Sequence, residues 1–161
     1  MGTRTRGFAN LITASGTGFN TPAFNIEKTS LQTLTSDVLT KIQFNSSIID
    51  TASGWSGVNY RYTIPSGQGG YWFISLTGNA YTSSNNVGDF RLELHKNGSR
   101  VAMKQFYSFT DDHRHEPLFL SALLNLSASD YLEGFASIQG TTPAIREDAN
   151  ETFFMGFRLV Q

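Results

Sequence analysis

An all-β sandwich is the fold this sequence predicts, and three observations predict it. Segments rich in Val, Ile, Phe, Tyr and Thr recur between turn clusters at the spacing of a two-sheet sandwich. No segment carries a convincing amphipathic helical stripe. Aromatic residues reach 13% of the chain, led by 13 Phe, while charged residues make up only 16%, against about 25% in ordinary soluble domains. Together these describe a dense aromatic core under an uncharged Ser/Thr/Asn skin. At 161 residues the chain suits one domain with a short arm, large enough to close a core without a covalent or metal staple.

Composition also excludes several functions. There is no cysteine, which removes disulfide scaffolds, thiolate zinc sites and cysteine catalysis. Twelve Lys and Arg against 13 Asp and Glu leave a net charge of −1, so no global field draws in nucleic acid or an anionic membrane. No stretch approaches the roughly 20 apolar residues of a membrane helix, and membrane insertion is not expected. Catalytic motifs are missing too: Gly54-Trp55-Ser56-Gly57 has the wrong spacing for a nucleophile elbow, and no phosphate loop or dinucleotide fingerprint occurs. An enzyme is not expected.

Taken in order, residues 1–21 read as a polar, glycine-containing arm, and residues 22–161 as the domain. The arm carries Arg4 and Arg6 and the apolar residues Phe8, Leu11, Ile12 and Phe19. It is either a frayed terminus or an arm that orders against a neighbouring protein, with these side chains as anchors. Ser30 to Lys41 has some helical periodicity, but its threonines argue against a helix, and Val38 to Phe44 reads better as a strand. Asn59 to Ile64 alternates, with Tyr60, Tyr62 and Ile64 on one face, and Pro65 to Gly70 is a turn. In Phe90 to His95 the residues Phe90, Leu92 and Leu94 point inward, with Arg91, Glu93 and His95 outward. Asn97-Gly98 is a strong hairpin signal, because a type I′ turn needs two residues comfortable at positive φ. Val101 and Met103 then resume the inward pattern.

Three strands break the alternation. Tyr71 to Leu76, Leu118 to Leu124 and Phe153 to Val160 are bulky and apolar on both faces. A two-layer sandwich buries one face of each sheet, so strands apolar on both imply that something covers an outer face. In one small domain the economical cover is another copy of the chain. Tyr71, Phe73, Phe119, Leu123, Phe153, Met155 and Phe157 are the candidate interface residues.

The same residues carry a resemblance. Gly69-Gly70-Tyr71-Trp72-Phe73 matches a Gly-x-Tyr-x-Phe strand that follows a Pro-x-x-Gly turn, here longer and starting at Pro65. Leu94-His95-Lys96-Asn97-Gly98-Ser99-Arg100-Val101 matches a Leu-x-Lys-Asn-Gly-x-x-Val hairpin. Leu124-Asn125-Leu126 with Asp130-Tyr131-Leu132 looks like Leu-x-Leu followed by Gly-Asp-x-Val, with Ser129 in place of the glycine. Thr152-Phe153-Phe154-Met155-Gly156-Phe157 looks like the closing Ser-x-Phe-x-Gly-Phe strand. From about Pro22 to Gln161 the chain thus resembles the globular head of complement C1q and its relatives, which share the tumour-necrosis-factor jelly roll. No collagen-like repeat precedes the domain. The resemblance implies a two-sheet jelly roll of about ten strands that assembles as a homotrimer. Free-standing modules of this kind are also similar to domains on phage fibres and other virion appendages.

The arm lacks an apolar run long enough for a signal peptide, although the uncharged skin looks extracellular. That contrast, with the resemblance, leads to the expected function. It is a non-enzymatic trimeric virion structural protein (head decoration, knob or tail-fibre component), made in the host cytoplasm, released by lysis and held to other virion proteins by its arm. The alternative is a soluble, extracellular trimeric module that recognises a host-surface glycan or a receptor.

One polar constellation stands out, Asp111-Asp112-His113-Arg114-His115-Glu116. In an extended chain His113 and His115 project to one face, and around a trimer axis the imidazoles of all three chains would suit an octahedral transition metal. Asp111, Asp112 and Glu116 would instead offer hard oxygens to calcium, which some relatives bind near the trimer axis at the corresponding connection. The third reading is a solvated loop whose charges pair with one another, and no cofactor is required by any motif. Trp55, Tyr81 and Tyr107 are candidates for stacking on sugar rings, against the alternative that they complete a core or a subunit contact.

Overall fold

The computed structural model describes residues 22–109, 113–147 and 151–160. The proposed arm, with Arg4, Arg6, Phe8, Leu11 and Ile12, lies outside the described residues, and so do Asp111 and Asp112. Among the described residues there are thirteen strands and no helix. They are β1 (Ala23–Glu27), β2 (Gln32–Thr33), β3 (Thr40–Lys41), β4 (Ser46–Asp50), β5 (Trp55–Ser56), β6 (Arg61–Thr63), β7 (Gly70–Tyr81), β8 (Asp89–Lys96), β9 (Ser99–Tyr107), β10 (His115–Leu126), β11 (Tyr131–Gln139), β12 (Ala144–Ile145) and β13 (Phe153–Val160). The number exceeds ten because pairings of only two residues, β2, β3, β5 and β12, are included.

The strands form two antiparallel sheets. The first runs β2-β12-β7-β13-β1-β4, with β10 also paired to β7; the second runs β5-β6-β11-β8-β9, with β3 paired to β11. The sheets close on side chains from alternate positions, as period-two patterning requires. Trp72, Ile74 and Leu76 of β7, Phe24 and Ile26 of β1 and Phe154 of β13 come from the first sheet. Phe90, Leu92 and Leu94 of β8 and Leu132, Ala136 and Ile138 of β11 come from the second. An aromatic cluster joins the layers: Phe24 stacks on Tyr62 at 3.9 Å between ring centroids and meets Phe154 edge-on at 5.0 Å. Trp72 is fully buried and its Nε1–H donates to the Gln68 carbonyl at 3.1 Å, which satisfies its one polar atom.

Two core glycines are set by packing. A Cβ on Gly156 would lie 2.6 Å from Ile74 Cδ1 and 2.7 Å from Phe24 Cε1, and one on Gly134 would lie 2.9 Å from Leu76 Cδ1. The bulky residues opposite these positions fill the space that the missing side chains leave.

The hairpin is built as expected, with φ of 52° at Asn97 and 78° at Gly98. Its return strand is not. Leu94 pairs with Ala102 and His95 with Arg100, so Val101 is an extra residue, a β-bulge. The bulge shifts the phase by one: Ala102 and Phe106 pack on the core, while Val101 and Met103 are 40% and 43% exposed. Val38 to Phe44 is also corrected. Only Thr40–Lys41 pairs, and Asp37 at φ 61° turns the chain just before it. Val38 and Leu39 face solvent, and Ile42 and Phe44 enter the core from backbone beyond the paired residues, where Ile42 N still donates to the Gly134 carbonyl at 2.9 Å. Tyr60 sits in a turn at φ 50°, so it does not share a strand face with Tyr62 and Ile64, which are buried.

Lys28 follows β1 in the inward phase and is only 1% exposed, with Nζ donating to the Gln43 carbonyl at 3.2 Å. Burial lowers its pKa from 10.5 to about 8, and the Glu147 charge opposes that shift only in part. The folded state therefore disfavours the ammonium. Between pH 8 and 10 the unfolded chain binds more protons at this site, so stability rises with pH across that window. Denaturant titrations of the native chain at pH 8 and 10 are expected to show the rise, and Lys28→Met is expected to flatten it. Gly156→Ala is expected to cost about 1–3 kcal/mol through overpacking, measured in the same titrations.

Candidate functional site

The three doubly apolar segments become neighbours in the fold. β7 pairs with β10 along one edge and with β13 along the other. Across the sheet, Leu123 stands opposite Phe73 and Phe73 opposite Phe157; Asn125 faces Tyr71, Phe119 faces Thr77, and Ser121, Ser75 and Met155 form another row. Beyond β13 the rows reach Ala23, Asn25 and Glu27 of β1. Since Trp72, Ile74 and Leu76 point into the core, Tyr71, Phe73, Ser75 and Thr77 point outward. The register therefore brings all seven sequence candidates to one outward face. Tyr71, Phe119 and Leu123 are 53%, 56% and 66% exposed. Phe73, Phe153, Met155 and Phe157 are half-buried, and the Phe73 and Phe157 rings lie 5.4 Å apart.

Sequence reasoning missed Ile49 of β4, 46% exposed and paired with Asn25, which extends this face. The Ser-Ser-Ile-Ile-Asp segment holds the signal, but Ile48 and Ile49 are both exposed, at 57% and 46%, and a register shift after Asn25 hides which of them stands in the Asn25 row.

The outward face of the second sheet has the opposite chemistry. Glu93 lies on it, yet is 3% exposed, because three cationic or ionisable side chains fold over it. His95 Nε2 is 2.7 Å, Arg100 Nη1 3.2 Å and Arg91 Nε 3.4 Å from its carboxylate. Burial alone would raise the Glu93 carboxyl, but the hydrogen bonds and charges of His95 and Arg100 outweigh it and hold it below the ordinary range. Lys41 pairs with Glu133 at 2.6 Å nearby, and His95 lies against the Phe135 ring at 4.4 Å. The outward face of the first sheet thus carries an apolar patch, of a kind uncommon on isolated monomers, while the Glu93 region of the second sheet is ion-paired.

The His113–Glu116 segment adopts a more specific arrangement than an extended run. β10 begins only at His115. The His115 ring lies 5.3 Å from Tyr81, whereas the His113 ring meets Phe106 edge-on at 5.3 Å. The two imidazoles thus have different ring partners rather than one shared direction. His113 Nδ1 is 3.7 Å from Glu116 Oε2. Among the described residues, no group of three or more His, Cys, Asp and Glu side chains could hold a metal ion.

The three aromatic candidates for sugar stacking do not form one site. Trp55 pairs with Tyr62 and packs against the core. It lies at the end of the second sheet where Leu132 pairs with Lys96 and Tyr62. Tyr107 pairs with Asp89 at the opposite end and is 63% exposed. Tyr81 closes β7 at that same opposite end, on the first sheet, opposite His115.

Solved structures decide the family of folds. The globular domain of zebrafish complement 1qA protein superposes with a TM-score of 0.61 at 14% identity, over 87% of this chain and 98% of that one. Murine APRIL gives a TM-score of 0.67 at 10% identity, over 87% and 100%. Eiger TNF from S. frugiperda gives 0.61 at 14%, over 88% and 94%. The fold is a C1q/TNF-like jelly roll. At these identities the likeness is one of fold. No family model matches the sequence, and no curated protein is similar to it. Among the described residues of this jelly roll, no helix is long and apolar enough to cross a membrane.

Proposed function

We propose that the chain is a non-enzymatic, self-assembling jelly-roll module in which three copies join through the outward face of the first sheet. The contiguous β10-β7-β13 face, with Tyr71, Phe119 and Leu123 more than half exposed, carries this reading. Burying each such side chain contributes about 1.5–3 kcal/mol, and a second copy of the same chain supplies complementary surface at no further genetic cost. Three copies is the stoichiometry that the C1q-like resemblance implies. The ion-paired face of the second sheet then stays toward solvent.

The setting we infer is a virion, to which residues 1–21 fasten the assembly. It rests on the uncharged skin and the polar, apolar-anchored arm. A second reading, a soluble recognition module, is favoured by a cleft of about 430 Å³ at the end of β7, lined by Leu31, Tyr81, Arg114, His115, Arg146 and Glu147, where the Arg114 guanidinium lies over the Tyr81 ring at 5.4 Å.

The experiment is the native mass of the full chain at micromolar concentration, by sedimentation or native mass spectrometry. A trimer is expected. Leu123→Glu and Phe119→Glu are expected to give monomers with unchanged far-ultraviolet circular dichroism, because a charge on this face is free in the monomer and desolvated in the assembly. Removing residues 1–21 is expected to leave the trimer intact while abolishing incorporation into particles. A wild-type chain that runs as a monomer overturns the reading.

A further inference from the structure

The chain contains one Asn-Gly pair, Asn97-Gly98, at the tip of the β8–β9 hairpin, and both residues are exposed. Asparagine is a thermolabile residue. It is most labile before glycine, whose backbone nitrogen has no side chain beside it to hinder approach to the carboxamide carbon. Beyond its chain neighbours, a Cβ added at Gly98 would meet only the Tyr131 hydroxyl, at 3.6 Å, so the outer side of the turn is open.

The carboxamide itself is held. Tyr131 N donates to Asn97 Oδ1 at 2.9 Å, and Asn97 Nδ2 donates to Asp130 Oδ1 at 2.7 Å. The Asn97 backbone N also donates to the Tyr131 carbonyl at 2.9 Å, so three bonds fasten the hairpin tip to Asp130 and Tyr131, where β11 begins. Asp130 is fixed as well. Its Oδ2 accepts from Ser127 N at 2.8 Å and lies 2.8 Å from Lys96 Nζ, and Lys96 donates to the Asn125 carbonyl at 3.2 Å. Burial alone would raise the Asp130 carboxyl, but the bonds from Lys96, Ser127 and Asn97 outweigh it and hold it below the ordinary range. The acceptor for Nδ2 is therefore a carboxylate at neutral pH. A side chain bonded at both carboxamide atoms cannot turn its carbon toward Gly98 without losing both bonds.

We propose that Asn97 is a modification site at which ammonia is lost to give aspartate and isoaspartate, and that the Asp130 clamp sets the rate. In the first step the Gly98 nitrogen loses its proton and bonds to Asn97 Cγ, while the Cγ–Nδ2 bond breaks and Nδ2 leaves as ammonia. Water then opens the succinimide. Addition at Cγ gives aspartate, and addition at the Asn97 main-chain carbonyl gives isoaspartate; nothing is oxidised or reduced. Aspartate replaces the Nδ2 donor by a carboxylate facing Asp130, a like-charge pair. Isoaspartate lengthens the main chain of the turn by one atom. Both products release the hairpin tip from β11. This inference depends neither on the number of copies in the assembly nor on its setting.

The test is incubation of the full chain at neutral pH and physiological temperature, beside a peptide of residues 94–101. Conversion at Asn97 is followed by peptide-mapping mass spectrometry that separates aspartate from isoaspartate. The peptide is expected to convert about tenfold or more faster than the folded chain, the factor that a hydrogen bond to a charged group, about 1.5–3 kcal/mol, corresponds to. Asp130→Ala is expected to speed conversion in the folded chain about tenfold, with its melting temperature and native mass as folding controls. Asp130→Asn keeps an oxygen acceptor for Nδ2 without the charge, and is expected to convert at a rate between the two. Conversion in the native chain as fast as in the peptide overturns the proposal. So does a native rate in either Asp130 variant that folds, or no conversion in the peptide. An Asn97→Asp chain, which carries the aspartate product, is expected to melt below the native chain at neutral pH. That difference is expected to narrow as acid protonates one carboxylate of the pair. Equal melting temperatures at neutral pH overturn the release of the hairpin tip.

Discussion

The register of β7 between β10 and β13 is the constraint on which the rest of the molecule depends. Two hydrogen-bonded edges fix its phase, and the phase decides the fate of every side chain along its length. One set, Trp72, Ile74 and Leu76, enters the core with no measurable exposure. The other set, beginning with Tyr71 and Phe73, is committed to the opposite face. A slip of one residue would exchange the sets, and the buried indole, whose only donor is already matched to the Gln68 carbonyl, would lose both its contacts and its hydrogen bond. Packing inside therefore dictates what is displayed outside, and core and surface are two readings of one alternation.

That coupling explains why much of the architecture was legible in the sequence. Period-two patterning in Phe90 to Leu94 and the Asn97-Gly98 turn are local signals, and local backbone geometry satisfies them. The doubly apolar segments were legible as anomalies. What no local signal contains is their adjacency: Leu118 to Leu124 and Phe153 to Val160 flank Tyr71 to Leu76 only because the sandwich returns the chain to both edges of one strand.

The parts that were not legible have equally specific causes. Ile42 and Phe44 are core residues on backbone that pairs little, so their burial comes from tertiary packing rather than from a strand of their own. Glu93 was readable as outward but not as covered. Its cover comes from Arg100, 7 residues away across the hairpin, and from the neighbouring Arg91 and His95. The cleft beside Tyr81 was the least legible, because Leu31, Arg146 and Glu147 are unremarkable singly. Only the convergence of the segments around the end of β7 gives them a common environment. Tyr81 itself was visible as a loop aromatic, and its partnership with Arg114 was not.

The extra residue at Val101 has a consequence for how chain length encodes chemistry. Because the insertion advances the β9 side chains by one step, Arg100 and Met103 end on the same side of the ribbon, and Arg100 reaches both Met103 Sδ and Glu93. The electrostatic shield over Glu93 is thus a product of spacing as much as of residue type. A chain lacking one residue at this point would keep its turn and nearly all of its hydrophobic content. It would nevertheless point a different half of the strand at the carboxylate. In this hairpin a frame of reading exists at the protein level, and a single-residue deletion acts on it as a phase error rather than as the loss of one contact.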